Sequence, residues 1–336
     1  MKTKWGIIGC GGIAERRTIP GMALSDKIEI VAVMDTNREA AERVAQKYGA
    51  KYAFTSEEEL LAVDEIEAVY IASPVFCHKK QCTLAAKAKK HILLEKPMGL
   101  TVAESEEIAE ICENEGVLLG VGFMMRFHAY HERMRELIKD GAIGEVVSAN
   151  AKFTCWYPEM ENCWRQNKNL SGGGAMLDMG VHAVDLIRYI TGLQIVDTTG
   201  FVGNQIFKYS VEDAGTGVYR MDNGAICVVE AAFNIPDEAS ESIIAFYGTK
   251  GCLIANGTLA QAEGGTVKLI SIAEGGDYDA AQNRTTNKAV NLEVTFGNMY
   301  QKETEAFSEA VRGIRSVPVS AKDAILSQKA VEDLYK

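Results

Sequence analysis

Residues 4–14 read KWGIIGCGGIA, and this stretch decides the fold of the first part of the chain. A short apolar run, typical of a buried β-strand, leads into a turn with the spacing G-x-G-x-x-G/A, in which Gly9, Gly11 and Ala14 hold the three small positions. Gly9 permits a tight turn, Gly11 lets the backbone approach a pyrophosphate, and Ala14 lets the next helix pack closely. The stretch therefore predicts a strand, a turn and a helix whose N-terminus binds a dinucleotide.

The chain after this motif alternates between apolar strands and amphipathic helices. Such alternation is typical of a parallel sheet covered by helices on both faces, and ligands of such sheets bind beyond the carboxyl ends of the strands. We therefore expect residues 1–122 to form a doubly wound α/β domain that binds NAD(P). The predicted strands are 4–9, 28–35, 66–73, 91–95 and 117–122, and the predicted helices are 37–49, 79–90 and 101–116.

The identity of the cofactor depends on the end of the second predicted strand. Asp35 stands there, and its carboxylate could accept hydrogen bonds from both ribose hydroxyls while repelling a 2′-phosphate. The alternative is that Asp35 only caps the helix that follows, and the nearby Arg38 could hold a 2′-phosphate. The sequence therefore predicts NAD, with NADP as the less favoured cofactor.

A lysine at the end of a later strand is the first candidate for chemistry. In LLEKPMG (93–99), Glu95 and Lys96 end an apolar strand, and Pro97 stops it. An ammonium group there would face the cofactor, where it can polarise a carbonyl or lower the pKa of a bound alcohol. The alternative is a solvated lysine in a loop.

The second candidate is GGGAMLDMGVH (172–182), a glycine run that leads into a predicted helix. Asp178 and His182 are four residues apart, hence neighbours on one helix face, and Asp185 is next to His182 on that face. Histidine carries protons near neutral pH, and a nearby carboxylate can orient it or hold a substrate hydroxyl. The glycines would let this helix pack flush on the nucleotide-binding domain and bring both side chains to the nicotinamide. The alternative is a buried histidine on an ordinary amphipathic helix.

Together these segments resemble the glucose–fructose oxidoreductase/inositol dehydrogenase (Gfo/Idh/MocA) family. The resemblance implies an N-terminal Rossmann domain and, in residues 123–336, a substrate-binding and oligomerisation α+β domain with a large open, mostly antiparallel sheet. It also implies that Lys96, Asp178 and His182 form the catalytic trio. The segments that carry it are GIIGCGGIA (6–14), SPVFCH (73–78), LLEKPMG (93–99), GFMMRF (122–127), WRQ (164–166), GGGAMLDMGVHAVDL (172–186) and, more loosely, ETEAFSEAVRGI (303–314).

The motifs and the resemblance together assign the residues around the cofactor and the substrate. One departure is Met125, where many relatives have a polar or basic residue before the arginine. The cofactor-binding candidates are Gly9, Gly11, Gly12, Ile13, Ala14, Asp35, Arg38, Ser73, Pro74, His78, Glu95, Lys96, Arg126, Trp164 and Arg165. The substrate-binding candidates are Lys96, Tyr157, Trp164, Asp178, His182 and Tyr300.

The substrate class is suggested by a cluster of aromatic residues before the predicted catalytic helix. Phe153, Trp156, Tyr157 and Trp164 lie close together in sequence, and flat aromatic faces bind the C–H faces of sugar rings. The alternative is that they fill the core of the sheet. With the family resemblance, a sugar, cyclitol or glycoside is the expected substrate.

The later residues predict hairpins and a helix. The stretches 215–233, about Asp222–Gly224, and 242–256 read as antiparallel hairpins, and Ser320 is a plausible N-cap of the last helix. A sheet with one free face suits self-association, so we expect a homodimer or homotetramer.

The expected reaction is hydride transfer between NAD and a secondary hydroxyl or ketone of the substrate. His182 would take the hydroxyl proton, assisted by Lys96 and oriented by Asp178. Two alternatives stay open: a glycoside-cleaving enzyme with tightly bound NAD that works by transient oxidation and elimination, and a non-catalytic NAD-binding sugar sensor.

Composition excludes several other classes. A formal net charge of −11 without a basic patch disfavours nucleic acid or a membrane surface as a partner. The eight cysteines contain no CxxC pair, which predicts reduced thiols in a cytoplasmic protein. His128 and His131 have a spacing that can bind a metal, but no third ligand supports them, so no metal is expected.

Overall fold

The computed structural model describes residues 2–272, 280 and 288–336. The chain forms two compact units. The first comprises Met1–Met124, Glu161–Gly173 and Asn298–Lys329, and the second comprises Met125–Met160, Gly174–Gly297 and Ala330–Lys336. The sequence predicts a single boundary between residues 122 and 123. In the structure, Glu161–Gly173 and Asn298–Lys329 also belong to the first unit.

The first unit is built on a parallel sheet. Its strands are β1 (Thr3–Ile8), β2 (Ile28–Met34), β3 (Tyr52–Phe54), β4 (Ala68–Ile71), β5 (His91–Glu95) and β6 (Leu119–Gly122). They lie in the order β3-β2-β1-β4-β5-β6, and every neighbouring pair is parallel. This is the doubly wound order of a dinucleotide-binding fold, so the predicted fold class is confirmed.

Helices cover this sheet, and their ends follow local capping chemistry. The Thr101 hydroxyl accepts the N–H of Glu104 at 3.1 Å, and Gly116 closes the same helix at φ 70°. The Glu104 carboxylate accepts the N–H of Leu100 at 2.7 Å. Across both units the helices are α1 (Ile19–Ala23), α2 (Arg38–Tyr48), α3 (Glu57–Leu61), α4 (His78–Lys87), α5 (Val102–Glu115), α6 (Ala129–Lys139), α7 (Lys168–Ser171), α8 (Val181–Thr191), α9 (Met299–Val311) and α10 (Ala321–Glu332).

The core of the first unit explains why its strands read as continuous apolar runs. Trp5, Ile7 and Tyr70 on the central strands are fully buried, because side chains on both faces of the sheet lie under helices. Trp5 packs against Phe307 of α9 with ring centroids 5.7 Å apart, which holds that C-terminal helix on the first unit.

The second unit contains a wide, mostly antiparallel sheet. Its strands are β7 (Val146–Thr154), β8 (Ile195–Gly203), β9 (Ala214–Met221), β10 (Ile226–Ala232), β11 (Ser242–Gly248), β12 (Gly251–Asn256), β13 (Thr266–Ser271) and β14 (Lys288–Asn291). They lie in the order β14-β13-β12-β11-β7-β10-β9-β8, with β7 and β10 as the parallel pair. The predicted hairpins are β9–β10 and β11–β12, and both are confirmed.

The two faces of this second sheet differ. Along β9, Gly217 and Tyr219 lie on the buried face of the sheet. Val218 and Arg220, which alternate with them in sequence, lie on the opposite face. The helix α8 and the turn before it pack on β7, β9 and β10. The opposite face carries Phe201, whose side chain is 87% exposed. Within the described parts of the chain, no helix is long and apolar enough to span a membrane.

Candidate active site

The glycine turn after β1 leaves room for a ligand. Gly9 has φ +97°, and a Cβ there would lie 3.0 Å from the backbone of Ala72 and Ser73, so a side chain is excluded on two grounds. A Cβ on Gly11 or Gly12, by contrast, would have no heavy atom within 4 Å. The turn is therefore tight on its sheet side and open on the other, which fits the approach of a pyrophosphate to the backbone.

The residues that complete the motif lie where the spacing predicts. Ile13 precedes a helical turn that begins at the buried Ala14 and continues into α1. The first N–H groups of such a helix lack partners within the helix and are suited to hold an anion. The turn thus has the backbone geometry that the motif predicts, and the role of its residues in binding a dinucleotide stays a prediction.

Asp35 braces this turn. Its Oδ2 accepts the N–H of Cys10 at 2.8 Å, and its Oδ1 accepts the N–H of Asn37 at 2.9 Å. The cap of α2 is Asn37, whose side chain accepts the N–H of Ala40 at 3.3 Å, so the alternative that Asp35 caps α2 is wrong. Arg38 is exposed and forms a 3.7 Å ion pair with Glu42.

The turns that follow β4 and β5 are tied together by one histidine. Nδ1 of His78 lies 3.1 Å from the carbonyl oxygens of Pro97 and Met98, and Nε2 lies 3.0 Å from that of Ser73. Burial lowers the pKa of His78, so the ring is neutral at pH 7. His78 is 1% exposed, and this position favours a brace between two loops over direct contact with a cofactor. Pro74 precedes the short helical turn Val75–Cys77 in the same loop.

Glu95 ends β5 directly before Lys96 and belongs to a buried hydrogen-bonded chain. The Tyr70 hydroxyl donates to Oε1 of Glu95 at 2.5 Å, and the Thr18 hydroxyl lies 2.9 Å from that of Tyr70. Burial raises the pKa of Glu95, while the hydrogen bond from Tyr70 and the charges of Lys96 and Arg165 oppose the rise. The first unit therefore places Lys96 and Arg165 near one half-buried carboxylate at the carboxyl end of the sheet.

A second buried carboxyl lies behind Glu95. Glu303 on α9 is 1% exposed, and neither of its oxygens has a hydrogen-bond partner among the described residues. Burial raises the pKa of Glu303 well above its usual value, and the charge of Glu95 raises it further, so both effects favour the protonated form of Glu303. Tyr300 is 2% exposed in the same region, which does not favour its predicted contact with substrate.

Trp164 and Arg165 also belong to the first unit. They lie on the short helical turn Trp164–Gln166, and the guanidinium carbon of Arg165 is 4.4 Å from the centre of the Trp164 ring. This is cation–π geometry, which fixes the direction of the arginine side chain.

In the second unit, Asp178 and His182 lie on one continuous helical segment. Asp178 is in a π-helical turn, Met176–Gly180, and His182 is in the first turn of α8. The predicted neighbour relation therefore crosses a wider turn than an α-helix has. Single π turns of this kind are frequent at functional sites.

One glycine of the run before this helix has a local reason to lack a side chain. A Cβ on Gly174 would lie 2.0 Å from the backbone oxygen of Glu212 and 3.0 Å from a methyl group of Val211. All three residues belong to the second unit. The close approach that excludes a side chain at Gly174 is therefore made within that unit, and not on the nucleotide-binding domain.

Asp185, predicted to lie beside His182 on the helix, is the partner of a buried arginine inside the second unit. It accepts two hydrogen bonds from Arg126, from Nε at 2.7 Å and from Nη2 at 2.6 Å, and both side chains are buried. The guanidinium carbon also lies 5.0 Å from the centre of the Tyr189 ring. Arg126, a candidate for the nicotinamide end, thus forms a bidentate ion pair inside the second unit, which ties α8 to the segment before α6.

An aromatic platform lies in the second unit, and only part of it was visible in the sequence. Trp156 meets Phe207 edge-on with ring centroids 5.1 Å apart, and Phe207 stacks on Tyr209 at 5.3 Å. Tyr157 packs on Phe233 at 4.9 Å. The partners at 207, 209 and 233 are far along the chain, so the local clustering could not reveal them.

This platform lies near the catalytic candidates of the same unit. Burial raises the pKa of Cys155 to about 12, with a further contribution from the charge of Asp178. The Cys155 sulfur is 3.7 Å from that of Met179. Cys155 thus links the Trp156 strand end to the turn that carries Asp178.

The remaining histidines are part of the core. Nδ1 of His131 lies 2.7 Å from the carbonyl oxygen of Met125, and Nε2 lies 3.0 Å from the hydroxyl of Thr258. Burial lowers the pKa of His131 to about 3, with a smaller effect from His128. The residues that the structure describes include no group of three or more His, Cys, Asp or Glu placed to hold a metal ion. All eight cysteines are free thiols.

Comparison with known proteins decides the family. Residues 3–123 match the model of an oxidoreductase family with an NAD-binding Rossmann fold, and residues 131–254 match the Gfo/Idh/MocA C-terminal domain. The chain belongs to the Gfo/Idh/MocA family. The predicted family and enzyme class, an oxidoreductase with a nicotinamide-nucleotide-binding domain, are confirmed.

Several relatives that resemble the chain along its length are named for their action on sugars. A 1,5-anhydro-D-fructose reductase from Ensifer adhaerens is 29% identical over 96% of this chain and 92% of the relative. A D-xylose 1-dehydrogenase (NADP(+)) from Haloferax volcanii is 28% identical over 99% of this chain and 96% of the relative's length. The solved structure of an aldose–aldose oxidoreductase from Caulobacter crescentus, complexed with glycerol, shares the fold with a TM-score of 0.88 at 23% identity, covering 100% of this chain and 97% of that one.

The buried carboxyl of Glu303 gives a pH-dependent prediction. The pKa of Glu303 is higher in the folded protein than in the unfolded chain. The free energy of unfolding therefore falls as the pH rises above about 4.3, where the carboxyl ionises in the unfolded chain. Glu303→Gln removes this pH-dependent loss. The melting temperature of the variant minus that of the wild type should therefore increase as the pH rises from about 4 to about 8. Thermal unfolding at stepped pH measures this difference.

The matched control is Glu309→Gln on the same helix. Glu309 lies 2.9 Å from Lys27 in a half-exposed ion pair, so its variant should show no such growing advantage. A constant or shrinking difference for Glu303→Gln would mean that the carboxyl is ionised in the folded protein.

Proposed function

We propose that this protein is an NAD-dependent oxidoreductase that transfers a hydride between the nicotinamide and a secondary hydroxyl or ketone of a sugar, cyclitol or glycoside. The observation that carries the proposal is the glycine turn, which has open space on one side, in the same parallel sheet whose strand β5 ends directly before Lys96. Membership of an NAD-binding oxidoreductase family supports it. The names of the relatives from Ensifer adhaerens and Haloferax volcanii support the sugar-like substrate.

The acid–base roles fall to three side chains. In the oxidation direction His182 accepts the proton of the substrate hydroxyl, while the Lys96 ammonium stabilises the negative charge that develops on the same oxygen. Asp178 orients the imidazole or holds a neighbouring hydroxyl. NAD, when bound, supplies the hydride acceptor, so the alcohol carbon loses two electrons and one hydrogen.

The aromatic platform supports the choice of substrate. Trp156 is 41% exposed, and its neighbours Phe207 and Tyr209 extend the same apolar surface. Such faces pack on the C–H groups of a sugar ring while carboxylates such as Asp178 bind its hydroxyls.

Two substitutions test the chemistry. Lys96→Ala and His182→Ala should each lower kcat by at least about a hundredfold, because each removes one acid–base or charge-stabilising group. The affinity for NAD, measured by fluorescence titration or calorimetry, should stay within about threefold, since the glycine turn is intact. Turnover is measured by the absorbance of reduced nicotinamide over a panel of sugars and glycosides.

The control for this test is Lys87→Ala, an exposed lysine at the end of α4. It should leave kcat unchanged. Near-normal turnover in either Lys96→Ala or His182→Ala removes that residue from the catalytic assignment. Absence of turnover by the wild type on the whole panel, with NAD bound, would instead favour a sugar sensor.

Asp35 supports NAD as the cofactor. Its carboxylate stands at the end of β2 beside the glycine turn, where a 2′-phosphate would meet its negative charge. The NADP dependence in the name of the Haloferax relative makes the choice a point to be tested. Arg38 could hold a 2′-phosphate, although it is paired with Glu42.

The cofactor test uses a charge-neutral variant. The wild type should bind NAD at least about tenfold more tightly than NADP, and Asp35→Asn should reduce that ratio, because it removes the charge but keeps an acceptor for the N–H of Cys10. Arg38→Ala is the control and should leave NAD binding unchanged. Tighter binding of NADP by the wild type, lost in Arg38→Ala, would reverse the cofactor assignment.

Self-association through the open face of the second sheet is part of the proposal. Phe201, Ile226 and Tyr247 lie on that face, exposed by 87%, 42% and 37%, and apolar side chains spread over a sheet face suit an interface between copies. A homodimer or homotetramer is therefore proposed, in the cytoplasm, where the eight thiols stay reduced. Neither nucleic acid nor a membrane is proposed as a partner.

Light scattering coupled to size-exclusion chromatography tests the assembly. The wild type should have the mass of a dimer or tetramer, and Ile226→Glu should lower it, because the new charge would be desolvated in the interface. Ile314→Glu, at a 72% exposed site of the first unit, is the control and should keep the wild-type mass. A monomeric wild type contradicts the proposal.

A further inference from the structure

One residue accepts the first N–H groups of the helical segment that carries Asp178 and His182. Oε2 of Glu212 accepts the N–H of Gly174 at 2.8 Å, and Oε1 accepts the N–H of Met176 at 3.0 Å. The N–H of Ala175, between them, donates to the backbone carbonyl of Glu212 at 3.2 Å. Three consecutive donors at a helix start, which have no partner within the helix, are thus satisfied by a single residue.

The same carboxylate also accepts a hydrogen bond from a tyrosine of the second unit. The Tyr335 hydroxyl donates to Oε1 of Glu212 at 2.8 Å. The Leu177 backbone also interacts with that hydroxyl. Tyr335 lies in the short helical turn Asp333–Tyr335, which packs on β8 within the second unit. Glu212 therefore binds the backbone N–H groups of the first turn of this segment, and Tyr335 holds the Glu212 carboxylate in place.

The contact is close and specific. Glu212 is 7% exposed, and the 2.0 Å that would separate a Cβ on Gly174 from its backbone oxygen leaves room for glycine alone. The N–H of Asp178 then donates to the carbonyl of Gly174 at 2.8 Å, so the clamped residue is one hydrogen bond away from Asp178. A movement of Glu212 would therefore move Gly174 and, through this hydrogen bond, the backbone of Asp178.

We propose that Glu212 and Tyr335 are positioning residues, which clamp the start of the helical segment and thereby place Asp178 and His182 for catalysis. The inference rests on the proposed function for the roles of Asp178 and His182. It makes the helical turn Asp333–Tyr335 part of the active-site framework. The arrangement acts through geometry, since catalytic rate falls steeply when a reacting group is displaced by even 1 Å or so.

The chemistry of the clamp depends on the charge of Glu212. Burial raises the pKa of Glu212, and the hydrogen bonds from Tyr335, Gly174 and Met176 oppose that rise. The other titratable groups that face the pair are Tyr209 and, through Tyr335, Tyr219. The neighbouring Asp213 is engaged by the backbone N–H groups of residues 205–207. Without the Tyr335 hydroxyl, Glu212 takes up a proton at higher pH and becomes a poorer acceptor for the helix N–H groups.

The test removes one hydroxyl at a time. Tyr335→Phe deletes the donor to Glu212, and Tyr219→Phe is the matched control, a buried tyrosine of the same unit whose hydroxyl has no hydrogen-bond partner among the described residues. Hydrogen exchange followed by mass spectrometry should show faster exchange of the amides of residues 174–177 in Tyr335→Phe, and no change there in Tyr219→Phe. Equal protection in both variants would refute the clamp whether or not a substrate is known.

Kinetics then test the positioning role. Tyr335→Phe should lower kcat by about tenfold or more with the Kd for NAD unchanged, and the acid limb of its kcat–pH profile should move to higher pH. Tyr219→Phe should match the wild type in all three. A lower melting temperature without a change in kcat or in the acid limb would mean that Tyr335 supports only the fold.

The two proposals fail separately. If the wild type turns over a sugar and His182→Ala does not, but Tyr335→Phe keeps full kcat, the positioning role is wrong and the proposed function stands. If no sugar is turned over at all, the proposed function is wrong, and faster exchange at residues 174–177 would still establish the clamp.

Discussion

The ligand-binding turn of the first unit depends on the absence of a side chain at Gly9, directly after β1. Gly9 adopts φ +97°, and a Cβ there would lie only 3.0 Å from the backbone that follows β4, so the turn forms because position 9 has no side chain. That contact sets the direction in which Gly11 and Gly12 face open space, and the carboxylate of Asp35 then fixes the turn through the N–H of Cys10. The same edge of the sheet carries Lys96, because parallel strands bring their carboxyl ends together.

Periodicity and turn chemistry made most of the fold readable in advance. The runs at 28–35 and 91–95 became β2 and β5, and Thr101 and Gly116 marked the ends of α5, because these signals are local. Ser320 caps α10 as its spacing suggests, with its hydroxyl 3.2 Å from the N–H of Asp323. The three-residue β3 and the short α3 were missed, since neither is long enough to show a period.

The site was harder to read from the sequence because its partners are distant along the chain. The motif spacing identified the glycine turn, but nothing near Asp185 announced Arg126, which takes both of its oxygens. Glu212 and Tyr335 lie outside every motif and were not singled out at all. The π-helical turn at Asp178 is likewise invisible to a rule that assumes α-helical spacing, so the relative orientation of Asp178 and His182 could not be derived from the residue count alone.

Three buried acids of this protein avoid an isolated charge in three different ways. Asp185 pairs with a guanidinium, Glu212 accepts hydrogen bonds from backbone N–H groups and a tyrosine hydroxyl, and burial of Glu303 favours its uncharged form by raising its pKa. The first two solutions fix geometry, because each oxygen has an assigned donor and a displaced partner leaves a buried charge behind. Both act on the segment from Gly174 to Thr191, at its start through Glu212 and in its middle through Asp185. The helix that carries His182 is therefore held at two points by buried charge, which is a reason for it to be rigid before any ligand binds.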